Sequence, residues 1–380
     1  MTGIGGPAAM PRRVAFVADR ASSLIRLRAA LVRELKAREA LLLFVAPAFS
    51  ADEAASLEAG GIERATFDAS PTRVPFLADW RITREIATTL QRWRPDVVLC
   101  FGARTMALGA VAARRARAPR VVVVVTGLSR DAAEAGAEGY LLPIRRYARA
   151  FKPATAAIVH NRDDERVLAG AGLLRPGLPV HVVPGAGVDL AGFAPEPLPP
   201  IAGGLVFLMV APLDRTRGVI DYCEAALRVK ERAPGATFLL AGPAGEGPGG
   251  IAPEELRRYQ GAIEFLGPLA DVRPAMARAH VLVYPSHGEG MPRIVLEAMA
   301  MGRPIVTTDA PGCRETVDDR VNGCLVPVAD VGALASAISS FLKRPDLLPS
   351  MARASRLKAE RRFDEREVNR TLLAAIGLAA

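Results

Sequence analysis

The side chains best suited to chemistry crowd into one stretch, YPSHGEGMPRIVLEAMAMGRP, running from Tyr284 to Pro304. Two carboxylates, Glu289 and Glu297, stand in it with seven residues between them. Pro292 suits the first position of a helix, where its missing N–H is one the first turn leaves unbonded. Gly302 suits the left-handed cap at the other end, and Pro304 stops the helix from continuing. The spacing therefore predicts a strand ending at Tyr284, a loop over Ser286–Gly290 and a helix beginning near Pro292. The N–H groups of Gly290, Met291 and Arg293 are expected to point into a cleft beside the positive end of the helix dipole. Glu289 lies just ahead of the helix, and Glu297 about five residues into it, ~7 Å along the axis. Carboxylates accept hydrogen bonds well from vicinal hydroxyls, so the pair can grip two parts of one long polyhydroxylated ligand. The plainer alternative has Glu289 serving the helix dipole and Glu297 as a surface residue.

Elements able to hold such a cleft alternate along the whole chain. Val14–Ala18, Leu41–Val45, Val97–Phe101, Val121–Val125 and Ala157–Val159 are short Val- and Leu-rich runs, apolar on both faces, as a buried parallel sheet requires. Helical patterns lie between them over Ser23–Arg38, Ala78–Trp93 and Thr105–Arg117. The segment Phe193–Gly204 then carries four prolines and two glycines among twelve residues, which excludes a helix or a central strand and marks an interdomain linker. After it the alternation resumes. Strands are expected at Leu205–Val210, Thr237–Ala241, Ile263–Leu266, Val281–Tyr284, Ile305–Thr308 and Cys324–Val326. Helices are expected at Val219–Arg232, Pro253–Gln260, Pro292–Met301 and Val331–Leu342, and in the tail Arg353–Ala380. The fold class is thus α/β, with two Rossmann-like domains facing a central cleft. The expected boundaries are 1–195 for the first domain, 196–360 for the second, and 361–380 for a C-terminal helix returning to the first domain.

Composition narrows the function classes. The 380 residues carry 49 Lys+Arg and 40 Asp+Glu, a net of +9. Residues 1–200 hold 27 basic and 19 acidic side chains, net +8, so nearly all the excess belongs to the first half, which should meet an anionic partner. The apolar runs are far shorter than the ~18–20 residues of a spanning helix, and Met1–Arg13 lacks the apolar core of a signal peptide. A cytoplasmic protein is expected. Cys100, Cys223, Cys313 and Cys324 show no metal or redox spacing and are expected as buried small apolar residues; the four histidines form no zinc-type cluster.

The Glu289–Pro304 run resembles the signature of family 4 retaining glycosyltransferases, enzymes of the GT-B fold. The family pattern E-G-x-P-x-x-x-L-E-A-x-A-x-G-x-P stands here as EGMPRIVLEAMAMGRP. The continuation Ile305–Val317 and Asn322–Val326 matches as well. The wording Pro311-Gly-Cys-Arg-Glu315 is similar to a subgroup that builds bacterial capsule, O-antigen and undecaprenyl-diphosphate-linked glycans. Thr126-Gly-Leu128, His160-Asn-Arg-Asp-Asp164 and Gly185-Ala-Gly-Val-Asp189 resemble further segments of that subgroup.

The resemblance implies roles residue by residue. Glu297 would bind the ribose of a nucleotide. Glu289 would face the transferred sugar as the glycosidic bond breaks. Gly290, Met291 and Pro292 would line the sugar pocket, with Arg293 and His287 among the donor-binding residues and Gly267 beside the base. Where the family carries an Arg and a Lys on the diphosphate, this chain reads Val210-Ala-Pro-Leu-Asp-Arg-Thr-Arg-Gly218. Pro212 replaces the Arg, Arg217 stands for the Lys, and Arg215 is the candidate substitute partner. On the acceptor side the implied residues are Arg28, Arg104, Thr126 and Gly127. No metal and no cofactor are implied; the nucleotide sugar, expected as a UDP-sugar, is substrate. The implied reaction moves a hexose or N-acetylhexosamine to a polyprenyl-diphosphate-linked or growing polysaccharide acceptor with retention. A soluble acceptor, or a non-catalytic GT-B binding protein marked by Pro212, are the alternatives.

Two basic clusters complete the reading. Arg114, Arg115, Arg117 and Arg120 end a helical pattern. Arg145, Arg146, Arg149 and Lys152 alternate with Tyr140, Leu141, Leu142, Tyr147 and Phe151. The second mixture suits a helix lying on an anionic membrane surface, with its aromatics at headgroup depth. A solvated face over an ordinary core stripe is the competing reading. No nucleic-acid reader motif is present, so nucleic acid is not an expected partner.

Overall fold

A computed structural model describes residues 13–70, 75–128, 147–245, 247 and 249–378. Tyr140, Leu141, Leu142, Arg145 and Arg146 of the second basic cluster lie outside them. The first sheet holds β1 (Arg13–Val17), β2 (Leu41–Ala46), β3 (Glu63–Thr66), β4 (Val97–Phe101), β5 (Arg120–Val125), β6 (Ala156–Val159) and β7 (Val180–Val182). They pair in the order β3-β2-β1-β4-β5-β6-β7, all parallel. Alternate side chains of one strand serve different layers. Val14, Phe16, Leu99, Val122 and Val124 pack in one core, and Ala15, Val17, Val98, Val121 and Val123 in the other. Two-sided burial is why these strands read as continuous apolar runs. The edge strands β3 and β7 carried no such run. β3 is ERAT, mostly exposed, and β7 is three residues with His181 at its centre.

The helices of this domain are α1 (Ala21–Leu27), α2 (Ala29–Ala37), α3 (Ala51–Ala59), α4 (Pro75–Trp93), α5 (Ala103–Arg115) and α6 (Arg162–Gly170). The single helix expected over Ser23–Arg38 is two. It breaks at Arg28, whose backbone leaves the helical region at φ −119°, ψ 12°. α3 went unread, although Ser50 and Glu53 close a reciprocal capping box at its start. Tyr147 and Phe151 are buried in the first domain's core, as the core-stripe reading has it, and not at a membrane surface. Their apolar surface belongs to the sheet side of the chain, while Arg149 stays outside.

The second sheet comprises β8 (Val206–Val210), β9 (Thr237–Ala241), β10 (Glu264–Gly267), β11 (Val281–Tyr284), β12 (Ile305–Thr308) and β13 (Gly323–Val326), ordered β10-β9-β8-β11-β12-β13 and parallel. Its helices include α7 (Val219–Lys230), α8 (Arg273–Arg278), α9 (Arg293–Ala300) and α10 (Val331–Lys343). Pro253–Tyr259, expected as an α-helix, is 3-10. The segment closes i to i+3 bonds instead, as Gln260 N–H does to Arg257 O. In both sheets the strand order reverses, between β1 and β4 and between β8 and β11. The crevice outside the strand C-termini opens at those points.

Two buried side chains bind the linker to the second domain. The Arg303 guanidinium donates to the carbonyls of Met276, Glu196 and Pro197. His280 accepts from Val206 N–H at Nδ1, 3.0 Å, so its Nε2 carries the proton toward Pro199 O, 3.1 Å. After α11 (Leu348–Arg362) the chain returns to the first domain as α12 (Glu365–Ala375). The backbone of Val188 pairs with Phe363 O and Glu365 N at the crossing. Val368, Leu372, Leu373 and Ile376 then join the first domain's core.

Candidate active site

β11 delivers Tyr284 to the crevice, and α9 starts nine residues later. Pro292 is the N-cap, not the first helical residue as expected; its ψ of 100° keeps it extended, and the helix begins at Arg293. Gly302 caps the other end at φ 73°, with Arg303 N–H closing back to Ala298 O.

Glu289 sits in the loop between them as part of a partly buried triad. The Tyr284 hydroxyl donates to its Oε1 at 2.7 Å, and Arg217 forms an ion pair with the same oxygen while also donating to the Tyr284 hydroxyl. Arg217 reaches this point from the turn after β8. Asp214 caps that turn by accepting from Thr216 N–H, and Thr216 O accepts from His287 N–H. Gly218 lets the turn lie against β11, because a Cβ there would stand 2.1 Å from Pro285 O. Arg217 and Glu289 are thus brought together. Tyr284 was not singled out; the signal available was a phenol at the last position of an otherwise aliphatic strand.

Glu297 lies inside α9, 8% exposed, with Arg293 one turn back at 2.8 Å. Burial pushes its carboxyl above the ordinary value of 4.5, opposed by Arg293. His287 is held by Asp221 at 2.8 Å, and Met291 packs beside Gly185. Gly267 ends β10 at φ 71° with open space on its Cα. Arg215 is not brought to the triad; it pairs with Glu255 on the surface.

Across the crevice the first domain touches this loop directly. A Cβ on Gly290 would stand 1.7 Å from Thr126 O, so only glycine admits the contact between Thr126–Gly127 and Glu289–Gly290. Asn161, completely buried, donates from Nδ2 to Gly290 O at 2.9 Å and to Asp164 at 3.0 Å. Two more bonds flank it. Arg314 meets Asp163 at 2.8 Å, and Arg162 N–H donates to Glu315 at 2.8 Å. Arg28 lines a cavity together with Arg293 of the second domain, while Arg104 stands elsewhere on the first domain. Arg28 is buried over the Phe101 ring with His160 at 3.5 Å, and Arg104 is bound by Asp79. Burial lowers the Arg28 guanidinium to about 10 and the His160 imidazole to about 3, the latter helped by Arg28. Asn161 is the residue a chemistry-first reading of the sequence passed over, because its partner is a backbone carbonyl 129 positions away.

The arrangement is a loop whose Glu289 carboxylate meets the Arg217 guanidinium and the Tyr284 phenol from neighbouring elements, clamped from the opposite domain. Residues 204–344 match the family described as Glycosyl transferases group 1. The N,N'-diacetylbacillosaminyl-diphospho-undecaprenol alpha-1,3-N-acetylgalactosaminyltransferase of Campylobacter jejuni is 24% identical over 355 residues, 90% of this chain and 92% of its own length. The UDP-Gal:alpha-D-GlcNAc-diphosphoundecaprenol alpha-1,3-galactosyltransferase of Escherichia coli is 25% identical over 282 residues, 70% of this chain and 71% of its own. The solved structure of Anabaena HepE in complex with UDP superposes with a TM-score of 0.77 at 20% identity, covering 96% of this chain and 99% of that one. The two parallel-sheet domains are those of the GT-B fold.

Proposed function

We infer, from a chain whose second domain is a Glycosyl transferases group 1 domain, that this glycosyltransferase moves a hexose or N-acetylhexosamine from a UDP-sugar to a polyprenyl-diphosphate-linked or growing polysaccharide acceptor, with retention of configuration. The observation that carries the reading is the Arg217–Glu289–Tyr284 triad at the strand ends. Arg217 neutralises Glu289. A donor diphosphate competes for that guanidinium, which then faces the charge that develops as the sugar–phosphate bond breaks. Glu289 is released to accept from sugar hydroxyls, and Glu297 is offered to the ribose diol. The acceptor oxygen bonds to the anomeric carbon on the face the diphosphate leaves, and its proton passes to the departing phosphate oxygen. The acceptors named for the relatives support a lipid-linked acceptor here, and the +8 charge of residues 1–200 supports its anionic character. We place the chain at the cytoplasmic face of the cell membrane. Among the described residues no helix is long and apolar enough to cross one.

Kinetics of two variants test the site. Glu289→Ala is expected to lower kcat by roughly 10²–10³ with little change in donor affinity. Glu297→Ala is expected to weaken UDP binding by about 10–100-fold. Equal activity of both variants and the parent chain sinks the assignment. Transfer that appears only after Pro212→Arg would favour the non-catalytic alternative.

A further inference from the structure

Helix α4 has two apolar faces. Ala78, Ile82, Ile86 and Leu90 turn into the first domain's core. Phe76, Leu77 and Trp80 turn outward and are 68%, 47% and 52% exposed. One apolar stripe is what a surface helix needs to dock on its sheet. A second one, with Phe76 and Leu77 one turn before Trp80, leaves large apolar side chains exposed to water. Of the exposed large apolar side chains among the described residues, these are the three that share a helix face.

Their surroundings state what would cover them. Arg84, one turn on, lies over the Trp80 ring at 5.3 Å. Arg104 and Arg149 both reach Asp79 of the same helix, at 2.8 and 3.8 Å, and Arg149 is 73% exposed. Two arginines thus answer one carboxylate, in a half of the chain with a net +8. Aromatics with flanking guanidinium groups match the boundary between acyl chains and anionic headgroups. The position matches too. α4 follows β3 and so begins at the C-terminal edge of the sheet, as α5 does after β4. Thr126, which follows β5, lies on that same edge, against Gly290.

We propose that Phe76, Leu77 and Trp80 form a lip that inserts into an anionic lipid bilayer, with Arg84 and Arg149 among its headgroups, beside the mouth of the cleft. Its purpose, handing over a lipid-linked acceptor, rests on the proposed function; insertion itself does not. The lip, not the Tyr147–Phe151 segment, supplies the apolar part of the membrane face.

The chain's two tryptophans make the test direct. Trp93 is buried, so Trp93→Phe leaves Trp80 as the sole reporter. Vesicles of phosphatidylglycerol and phosphatidylethanolamine are expected to blue-shift Trp80 emission and to sediment the full chain, less so at raised salt. Vesicles of phosphatidylcholine are expected to do neither. Phe76→Ser with Trp80→Ser is expected to weaken sedimentation of the otherwise native chain by about tenfold or more, while its circular dichroism melt stays unchanged because both positions are exposed. Undiminished sedimentation of that double variant overturns the proposal. So does equal binding to neutral vesicles, or a homodimer that the double variant dissociates. Vesicle binding is read without donor or acceptor, so failure of the transferase assignment leaves it standing. Retained transfer to a detergent-dispersed acceptor by the double variant supports a docking role; loss of it overturns that role by placing the lip in the active site.

Discussion

Glu297 carries a penalty that the proposed contact with a ribose diol explains. Its carboxyl is buried with one guanidinium for company, and burial outweighs that partner, so its pKa in the fold lies above 4.5. A group whose folded pKa is raised stabilises below its unfolded value and loses that contribution as pH rises through the folded one. At neutral pH the ionised carboxylate therefore weakens the fold. Glu297→Gln is expected to melt higher than the parent at neutral pH, with the gap closing as pH falls below 4.5, while UDP binding weakens. Thermal melts across that range check it; a variant that melts lower at neutral pH contradicts the sign. His160 runs the other way. Its folded value of about 3 lies below the ordinary 6.5, so its contribution is complete above 6.5 and lost as pH falls toward 3. His160→Gln is expected to flatten that acid loss by a few degrees of melting temperature, measured against the parent over the same interval.

Helix α6 acts at the element scale. Asn161 is its N-cap, accepting from Asp164 N–H at 2.8 Å with its Oδ1, so the amide's Nδ2 is left to reach across the cleft. One side chain both starts a helix of the first domain and holds the carbonyl next to Glu289. Removing it frees the loop by a fraction of an ångström to an ångström, and misplacements of that size cost up to about 10² in rate. Asn161→Ala is expected to lower kcat by about 10–100-fold while the affinity for UDP, proposed to sit on the second domain, stays within a few-fold. Steady-state kinetics with UDP titration separate the two. An equal loss in both would make Asn161 a general stability residue. Asn161→Asp keeps the cap and loses the donor, and should share the kcat defect.

At the scale of the molecule, the chain ties its two domains twice, through the linker and through α12. The second tie is hydrophobic: Leu372 and Leu373 are 2% and 1% exposed among first-domain side chains. Leu372→Ala is expected to destabilise by about 2–5 kcal/mol. Because those contacts belong to the first sheet, UDP bound to the second domain should not restore the loss. Denaturant unfolding with and without UDP checks this, and full rescue by UDP would place α12 energetically with the second domain. Arg120 reinforces the same seam by donating to Ile376 O at 2.9 Å.

The central strands, the linker and the Glu289–Glu297 helix were legible in the sequence because each is a local pattern. Two-sided burial writes continuous apolar runs, prolines exclude helix, and Gly302 marks a helix end. β3, β7 and the break at Arg28 were not legible, since edge strands bury little and a helix break at a buried arginine depends on what packs around it. The two motifs Asn161–Asp164 and Arg314–Glu315 could be read singly, but nothing in their spacing says that they meet. Only the tertiary structure brings them together at the cleft, pairs Arg217 with Glu289 and turns Tyr147 inward while Trp80 faces out. Those facts follow from how two sheets and a returning helix pack, and contacts between positions far apart in sequence leave no periodic trace in it.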